Sequence, residues 1–142
     1  MINIDKVKKE LIKDATRTFP DECCGFIFGN EKDEEREIIE ILAVDNAKEG
    51  DKRRRFEITA KDYIKAERYA EDRGLALIGI YHSHPNHPSV PSEHDRISAQ
   101  TFFSYLIISL TEEKINSIQS WLLNEDFQFE EEKILEHKPI TH

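Results

Sequence analysis

Cysteine is scarce in this sequence of 142 residues. Its two cysteines, Cys23 and Cys24, are adjacent. Neighbouring side chains of a strand point to opposite faces, so a disulfide between them would be strained, and we expect two reduced thiols that serve packing. The absence of a CxxC pair excludes a thiolate zinc knuckle and a dithiol redox motif.

Segments that would direct the chain to a membrane or out of the cell are also missing. No apolar run approaches the ~20 residues that a membrane span requires. The first residues, MINIDKVKKELIKD, alternate charged and apolar side chains and lack the apolar centre of a secretory signal. We therefore expect a cytoplasmic protein with no membrane role.

Positive charge is scarce as well. The chain has 20 basic and 29 acidic residues and a net charge of −9. Because nucleic-acid phosphates require a basic surface, this balance excludes nucleic acid as the partner. The basic cluster Lys52-Arg53-Arg54-Arg55 is too short to change that conclusion, although it can contact an acidic segment of a protein partner.

The apolar pattern predicts a mixed α/β fold in one domain over residues 1–142, a length that suits one compact core. The run Leu75–Tyr81 is almost continuously apolar, which is typical of a central strand buried on both faces. Helices are predicted over residues 4–18, from a Thr59 cap to Gly74, and over 93–101. Strands are predicted over 24–29, 37–44, 56–58, 75–81, 105–110, about 114–124 and 127–135.

The segment IYHSHPNHPSVPSEHD, residues 80–95, contains four of the chain's six histidines. His82 and His84 follow the central strand two residues apart, so their imidazoles point the same way and can converge on one point. A catalytic zinc site usually has three protein ligands and a water. Asp95 supplies the third ligand if the intervening prolines turn the chain back. The segment therefore predicts a metal site.

Other interpretations of these residues stay open on the residues alone. Ser92-x-x-Asp95 is also a helix capping box, and we do not expect Asp95 to cap and to bind metal together. His87 and His94 could replace a ligand, but their offsets break the same-side geometry, so we expect them to face solvent or to support the ligands. Glu22 alone would be an ordinary exposed acid before a strand.

Together these residues resemble a known motif. His82-Ser83-His84-Pro85, six further residues, and Ser92-x-x-Asp95 are similar to the motif of JAMM (MPN-plus) zinc metalloproteases. Glu22 before Cys23-Cys24-Gly25 and an apolar strand resembles that family's upstream glutamate segment. The resemblance covers nearly the whole chain and is to the compact prokaryotic type. It implies a single MPN domain, cytidine-deaminase-like, with one mixed, mostly antiparallel sheet flanked by two or three helices.

The resemblance also implies a role for each motif residue. His82, His84 and Asp95 would bind one Zn²⁺ per chain, with a water in the fourth position. Glu22 would hold that water, accept its proton and deliver the proton to the leaving amine. Ser92 would donate a hydrogen bond to the oxyanion.

Substrate expectations follow from the same resemblance. The family cleaves peptide or isopeptide bonds after the tail of ubiquitin or a ubiquitin-like protein, and several compact prokaryotic members act on sulfur-carrier proteins with a Gly-Gly tail. We expect such a protein or a peptide as substrate, bound as an extended strand beside the Lys52–Arg55 loop. The sequence leaves open whether the chain is a monomer or a homodimer.

Three alternatives remain at this stage. HSHPNH approaches the HxHxDH signature of the metallo-β-lactamase fold, but Asn86 stands where aspartate is needed, and the later histidines, His137 and His142, lie in the tail. A non-catalytic MPN scaffold typically lacks the metal ligands, which are present here. A purely structural zinc site would usually include thiolates.

Overall fold

The fold is one mixed, mostly antiparallel sheet with three helices, in a computed structural model that describes residues 1–135. The helices are α1 (Lys8–Thr18), α2 (Ala60–Arg73) and α3 (Glu93–Ser98). The strands are β1 (Ile2–Asn3), β2 (Cys24–Lys32), β3 (Glu35–Val44), β4 (Ala76–Pro85), β5 (Ser104–Leu110), β6 (Ile115–Leu123), β7 (Phe129–Glu132) and β8 (Ile134–Leu135). Their order in the sheet is β7-β6-β5-β4-β2-β3-β1-β8, which confirms the predicted fold class.

Strand β4 lies at the centre of the sheet and buries both of its faces. Tyr81 packs on the side of α1, where Leu11 and Ala15 contribute to the same core. The next residue back, Ile80, packs on the opposite side with Ala66 of α2. Alternation along the strand therefore sends successive side chains into two different cores, which accounts for the nearly continuous apolar run.

A buried polar contact ties α1 to the centre of the sheet just before the histidines. The Tyr81 hydroxyl donates to Asp14 Oδ2 at 2.8 Å, and Arg17 Nη2 donates to Asp14 Oδ1 at 2.7 Å. Gly25 leaves room for the Tyr81 ring, because a Cβ at that position would lie 2.4 Å from the ring. These contacts hold Tyr81 in place relative to α1 and β2, and His82 is the next residue of β4.

Two predicted strands were wrong. Residues 56–58 pair with no strand, although Glu57 O accepts a hydrogen bond from Ala47 N at 2.9 Å. The strand predicted over 127–135 is divided at Lys133 into β7 and β8, which lie at opposite edges of the sheet. Lys133 O accepts from Ile2 N at 3.0 Å, so the sheet curls until its two edges meet at this residue. An alternating pattern does not show at which edge a strand pairs.

Element boundaries also differ from the predictions. The helix predicted from residue 4 begins at Lys8, because the preceding residues form β1, which was not predicted. Strand β4 continues to Pro85, so both motif histidines lie within a ladder. The helix predicted to reach residue 101 ends at Ser98. Among residues 1–135, no helix has the length and apolar character needed to cross a membrane.

Candidate active site

Strand β4 places two imidazoles side by side. His82 pairs with Cys24 of β2 and with Ile107 of β5, and His84 pairs with Ser109 of β5. Ladders on both sides fix the backbone of His82 and one ladder fixes that of His84, and the two-residue spacing directs both rings to one face. His82 Nε2 and His84 Nε2 are 3.1 Å apart, and the two residues are only 1% and 8% exposed.

Helix α3 brings a carboxylate to the same point. Asp95 Oδ2 lies 3.3 Å from His82 Nε2 and 3.3 Å from His84 Nε2. The same oxygen accepts from Ser92 N at 2.9 Å, while Ser92 Oγ accepts from Asp95 N at 3.0 Å. Asp95 was not expected to cap and to bind metal together, yet its capping oxygen also faces both rings. One oxygen does both, because the first turn of α3 lies directly over the end of β4.

The loop between the histidines and α3 is held by several partly buried contacts. His84 Nδ1 is 2.8 Å from Pro88 O, and Trp121 Nε1 donates to Ser89 O at 2.9 Å. Ser109 Oγ donates to His87 O. A carbonyl oxygen can only accept, so His84 Nδ1 carries a hydrogen, and in the neutral ring the lone pair is then on Nε2. The loop therefore fixes His84 in the tautomer that a metal ligand needs.

Glu22 lies beside these groups and is buried. The residue is 3% exposed, and its Oε1 has no hydrogen-bond partner within the described residues. One ligand atom each from Glu22, His82 and His84 lie within 4.8 Å of one another. Burial, followed by the charges of Asp95 and Asp51, raises the pKa of Glu22 to about 9. Taken alone, the residue type indicated an exposed acid, and that interpretation was wrong.

The environments of His82 and Asp95 favour a neutral ring beside a charged carboxylate. Phe56 stacks on His82 with ring centroids 4.4 Å apart, and burial lowers the pKa of the imidazole. Burial also opposes ionisation of Asp95, but the contacts from His82, His84 and Ser92 N outweigh it and hold the pKa of that carboxyl below its usual value. A carboxylate and imidazoles in their neutral form are a donor set for a divalent cation.

The spacing of these donors fits a tetrahedral metal ion. Ligand atoms at ~2.0–2.1 Å from zinc in tetrahedral geometry lie about 3.3–3.4 Å from one another. The three separations among His82 Nε2, His84 Nε2 and Asp95 Oδ2 are 3.1, 3.3 and 3.3 Å. His82 Nδ1 and Glu22 Oε1 are both buried without a partner in the described part of the chain. The residues present therefore fit the metal that the motif implies.

Ser92 stands at the solvent side of this cluster. The residue is exposed, and its Oγ accepts the capping hydrogen bond from Asp95 N. Accepting that bond occupies a lone pair and leaves the O–H able to donate. Ser92 can therefore cap α3 and still offer a hydrogen bond to a bound substrate.

The remaining residues singled out from the sequence have structural or peripheral positions. Ser83 Oγ accepts from Cys23 N at 2.8 Å, so Ser83 joins β4 to the start of β2. Cys23 and Cys24 are free and buried, which confirms the expected reduced thiols. Burial raises the pKa of Cys23 to about 12, which leaves this thiol unreactive. His87 is exposed, as expected.

A cavity of about 290 Å³ opens beside the ligands. His82, Asp95 and His94 line one side of it, and its apolar part is formed by Phe56, Ile58, Tyr63, Ile80 and Tyr105. Sequence reasoning missed Phe56 as a site residue, although it is a lone aromatic after a polar loop. Its contact with His82 depends on how that loop folds, which no local pattern indicates.

Comparisons with known proteins identify the family of this chain. A family described as prokaryotic homologues of the JAB domain matches residues 5–124. The desampylase of Pyrococcus furiosus is 28% identical over 114 residues, which are 80% of this chain and 75% of that protein.

Solved structures share the fold. The solution structure of a protein from Desulfitobacterium hafniense has a TM-score of 0.80 and 27% identity, covering 95% of this chain and 92% of that one. The crystal structure of a JAB1/MPN domain protein from Archaeoglobus fulgidus has a TM-score of 0.56 and 19% identity, covering 95% and 98%. Because the family match spans the upstream glutamate, both histidines and Asp95, the chain belongs to the prokaryotic homologues of the JAB domain, a compact branch of the JAMM/MPN family.

Proposed function

We propose that this chain is a zinc-dependent peptidase or isopeptidase that hydrolyses the bond after the C-terminal tail of a ubiquitin-like, sulfur-carrier type of protein. The observation that carries the proposal is the triangle of His82 Nε2, His84 Nε2 and Asp95 Oδ2, with sides of 3.1 to 3.3 Å, beside the buried carboxyl of Glu22. In this proposal residues 1–142 form one catalytic domain that holds one zinc ion.

His82, His84 and Asp95 would hold the zinc. Zinc bound there would polarise the scissile carbonyl and make a water acidic enough to ionise near neutral pH. Glu22 is assigned as the general base and acid, because its carboxyl lies within reach of the same point and is shielded from bulk water. The positive charge of the bound zinc would lower the pKa that burial raises, so the carboxylate form would be available to accept a proton. It accepts a proton from the attacking water and returns it to the leaving amine.

Ser92 is assigned to the developing oxyanion. The cap of α3 holds its oxygen in place, and the hydroxyl retains a hydrogen to donate. A donor of this kind is typically worth ~3 kcal/mol in the transition state. The serine therefore contributes without changing its own contacts during the reaction.

The substrate assignment rests on the relative and on the surroundings of Glu22. The relative from Pyrococcus furiosus is a desampylase, an observation that favours a ubiquitin-like substrate for this chain. Lys52 O accepts from Glu22 N at 2.7 Å, so the exposed basic cluster Lys52–Arg55 lies next to the proposed proton carrier. An extended tail from a carrier with an acidic surface would pass along this cluster toward the zinc.

The test combines a mass-resolved cleavage assay with metal analysis. The chain is incubated with Gly-Gly-tailed ubiquitin-like proteins fused or linked to a reporter, and the expected product ends at the second glycine. Metal analysis should find about one zinc per chain. Glu22→Gln should keep the zinc and lose cleavage, because it removes only the proton acceptor; a variant as active as the parent would refute the mechanism.

Two controls separate substrate recognition from chemistry. Neutralising Lys52 to Arg55 together should weaken carrier binding while leaving zinc content unchanged. Carrier binding that is unaltered by this change would count against a role of the basic cluster in binding the carrier. A zinc-loaded chain that binds carriers and cleaves none would instead favour the non-catalytic scaffold. The metallo-β-lactamase alternative is excluded by membership of the JAB family.

A further inference from the structure

The side chain of Asn46 is a hydrogen-bonding centre in the loop that follows β3. Its Nδ2 donates to Glu22 O at 3.2 Å and to Arg55 O at 3.0 Å. Its Oδ1 accepts from Lys48 N at 3.0 Å and from Glu57 N at 3.1 Å. An amide side chain has two donor hydrogens and two acceptor sites, so every hydrogen-bonding capacity of Asn46 is used.

These bonds close the loop into a fixed shape. Lys48, Arg55 and Glu57 are spread over ten positions, and all three backbones meet on this one side chain. Ala47 N also donates to Glu57 O, so the two ends of the loop lie side by side. A loop rich in charged, exposed side chains has no apolar core of its own, so its shape depends on such polar contacts.

Glu22 is held by this loop and not by the sheet. Strand β2 begins only at Cys24, so Glu22 precedes the ladder. Its backbone N–H donates to Lys52 O at 2.7 Å, and its carbonyl accepts from Asn46 Nδ2. Both the backbone N–H and the backbone carbonyl of Glu22 therefore form hydrogen bonds with the loop that Asn46 organises.

The same loop also contacts a histidine of the cluster. Phe56 follows Arg55, whose carbonyl Asn46 binds, and its ring stacks on His82. His82 is additionally fixed by ladders to β2 and β5, whereas Glu22 has no ladder of its own. A change at Asn46 should therefore displace Glu22 more than His82.

We propose that Asn46 is a positioning residue for Glu22. It holds the loop of residues 46–57 in one shape, and this shape sets the position and direction of the Glu22 carboxyl relative to the histidines. The inference rests on the proposed function in one respect, namely that Glu22 carries the proton of the hydrolysis. Asn46 itself contacts neither the substrate nor the histidines in this account.

Asn46→Asp is the decisive variant. It keeps the shape of the side chain and an oxygen for Lys48 N and Glu57 N, and it replaces the two donor hydrogens with an oxygen that faces two carbonyls. We expect kcat for a Gly-Gly-tailed fusion to fall about 10- to 100-fold, since misplacement of a catalytic group by ~1 Å can have that effect. KM should change less than about twofold, and zinc content should stay at that of the parent, because the ligands lie elsewhere.

Hydrogen–deuterium exchange provides a readout that needs no substrate. The amide of Glu22 should exchange faster in Asn46→Asp, because the loop that accepts its hydrogen bond is loosened. Amides of the central β4 should keep their protection. Asn30→Asp, an exposed change near the far end of β2, adds the same charge and should leave kcat and exchange at Glu22 unaltered.

Coupling to Glu22 distinguishes positioning from a general loss of structure. In a Glu22→Gln background, Asn46→Asp should lower the residual rate no further, because the group that it positions is already inactive. An additive loss in the double variant would overturn the proposal. So would an Asn46→Asp chain with parental kcat and parental exchange at Glu22.

Two further outcomes are decisive. If Asn46→Asp fails to fold, Asn46→Ser, which keeps one donor, replaces it. If kcat of that variant falls only by the fraction of zinc that it has lost, the proposal is overturned. If the parent cleaves no Gly-Gly-tailed carrier, the proposed function fails, and exchange at Glu22 decides the positioning alone. Faster exchange there would support it, and unchanged exchange would overturn it.

Discussion

The two histidines and the two carboxylates of the site reach the same point by different means. His82 and His84 project from β4, which is paired with β5 at both residues and with β2 at His82, so backbone hydrogen bonds leave little freedom. Asp95 comes from the first turn of a helix of six residues, and Glu22 precedes β2 and is held by a loop. The comparison indicates that the positions of the two histidines depend on the sheet, whereas the positions of the two acids depend on a cap and a loop.

Removing a histidine should have the largest effect on this arrangement. His84→Ala deletes one of three converging donors, and we expect zinc content to fall from about one per chain to nearly none. Cleavage should be lost with the metal. Metal analysis after dialysis measures the effect, and His87→Ala, which removes an exposed imidazole, is the matched control. Zinc retained at the parental level in His84→Ala would contradict the claim that zinc binding depends on the histidines of β4.

Ser92 allows the cap and the proposed chemistry to be separated. Ser92→Ala should lower kcat about 100- to 1,000-fold by removing the oxyanion donor. It should also lower the free energy of unfolding by about 1 kcal/mol by removing the cap. Ser92→Asp restores a capping oxygen without a donor hydrogen, so stability should return while kcat does not. Equal recovery of both quantities, in kinetic assays and thermal unfolding, would show that Ser92 acts only through the helix.

The buried carboxyl of Glu22 should make the metal-free chain less stable as the pH rises. Its pKa in the folded state is about 9, above the ordinary value of 4.5, so the folded chain binds the proton more tightly than the unfolded chain. The free energy of unfolding therefore falls as the pH increases through that interval. Relative to Glu22→Gln without metal, the parent should lose about 4 kcal/mol between about pH 5 and pH 8. Denaturant unfolding in the presence of a chelator measures this, and parallel pH profiles for the two chains would contradict it.

The anchor of the loop before α3 should have the smallest effect. Trp121→Phe removes the hydrogen bond to Ser89 O but keeps an aromatic ring, so the free energy of unfolding should fall by about 1 kcal/mol. Zinc affinity should fall about 10-fold, because the same loop orients His84 through Pro88 O. Competition with a chromogenic chelator measures that affinity. An unchanged affinity would show that the strand alone orients His84.

Much of the metal-binding geometry could be predicted from the sequence. The period of two along a strand places His82 and His84 on one side whatever surrounds them. The spacing Ser92-x-x-Asp95 predicts the start of a helix by local hydrogen bonding alone. What local pattern could not predict was that the capping carboxylate would also face the rings, since that depends on where α3 packs. The roles assigned to these side chains stay predictions.

The fold likewise combines features that local sequence predicts with features that depend on packing. Continuous apolar character identified β4 as a central strand, because burial on both faces leaves no place for polar residues. The alternating stretch over 127–135 was predicted as one strand, and only the curl of the sheet divides it between two edges at Lys133. The burial of Glu22, its partner Lys52 and the organising role inferred for Asn46 arise from contacts between residues about 24 to 30 positions apart.

By itself the sequence determined the elements whose physics is local, namely the strand period, the helix cap and the apolar core segments. The tertiary structure decided how far apart the donors lie and how deeply the acids are buried. Distances of 3.1 to 3.3 Å between groups on β4 and α3 result from the packing of whole elements. The burial that raises the pKa of Glu22 is likewise a property of the folded surroundings, because an acid in an unfolded chain remains hydrated.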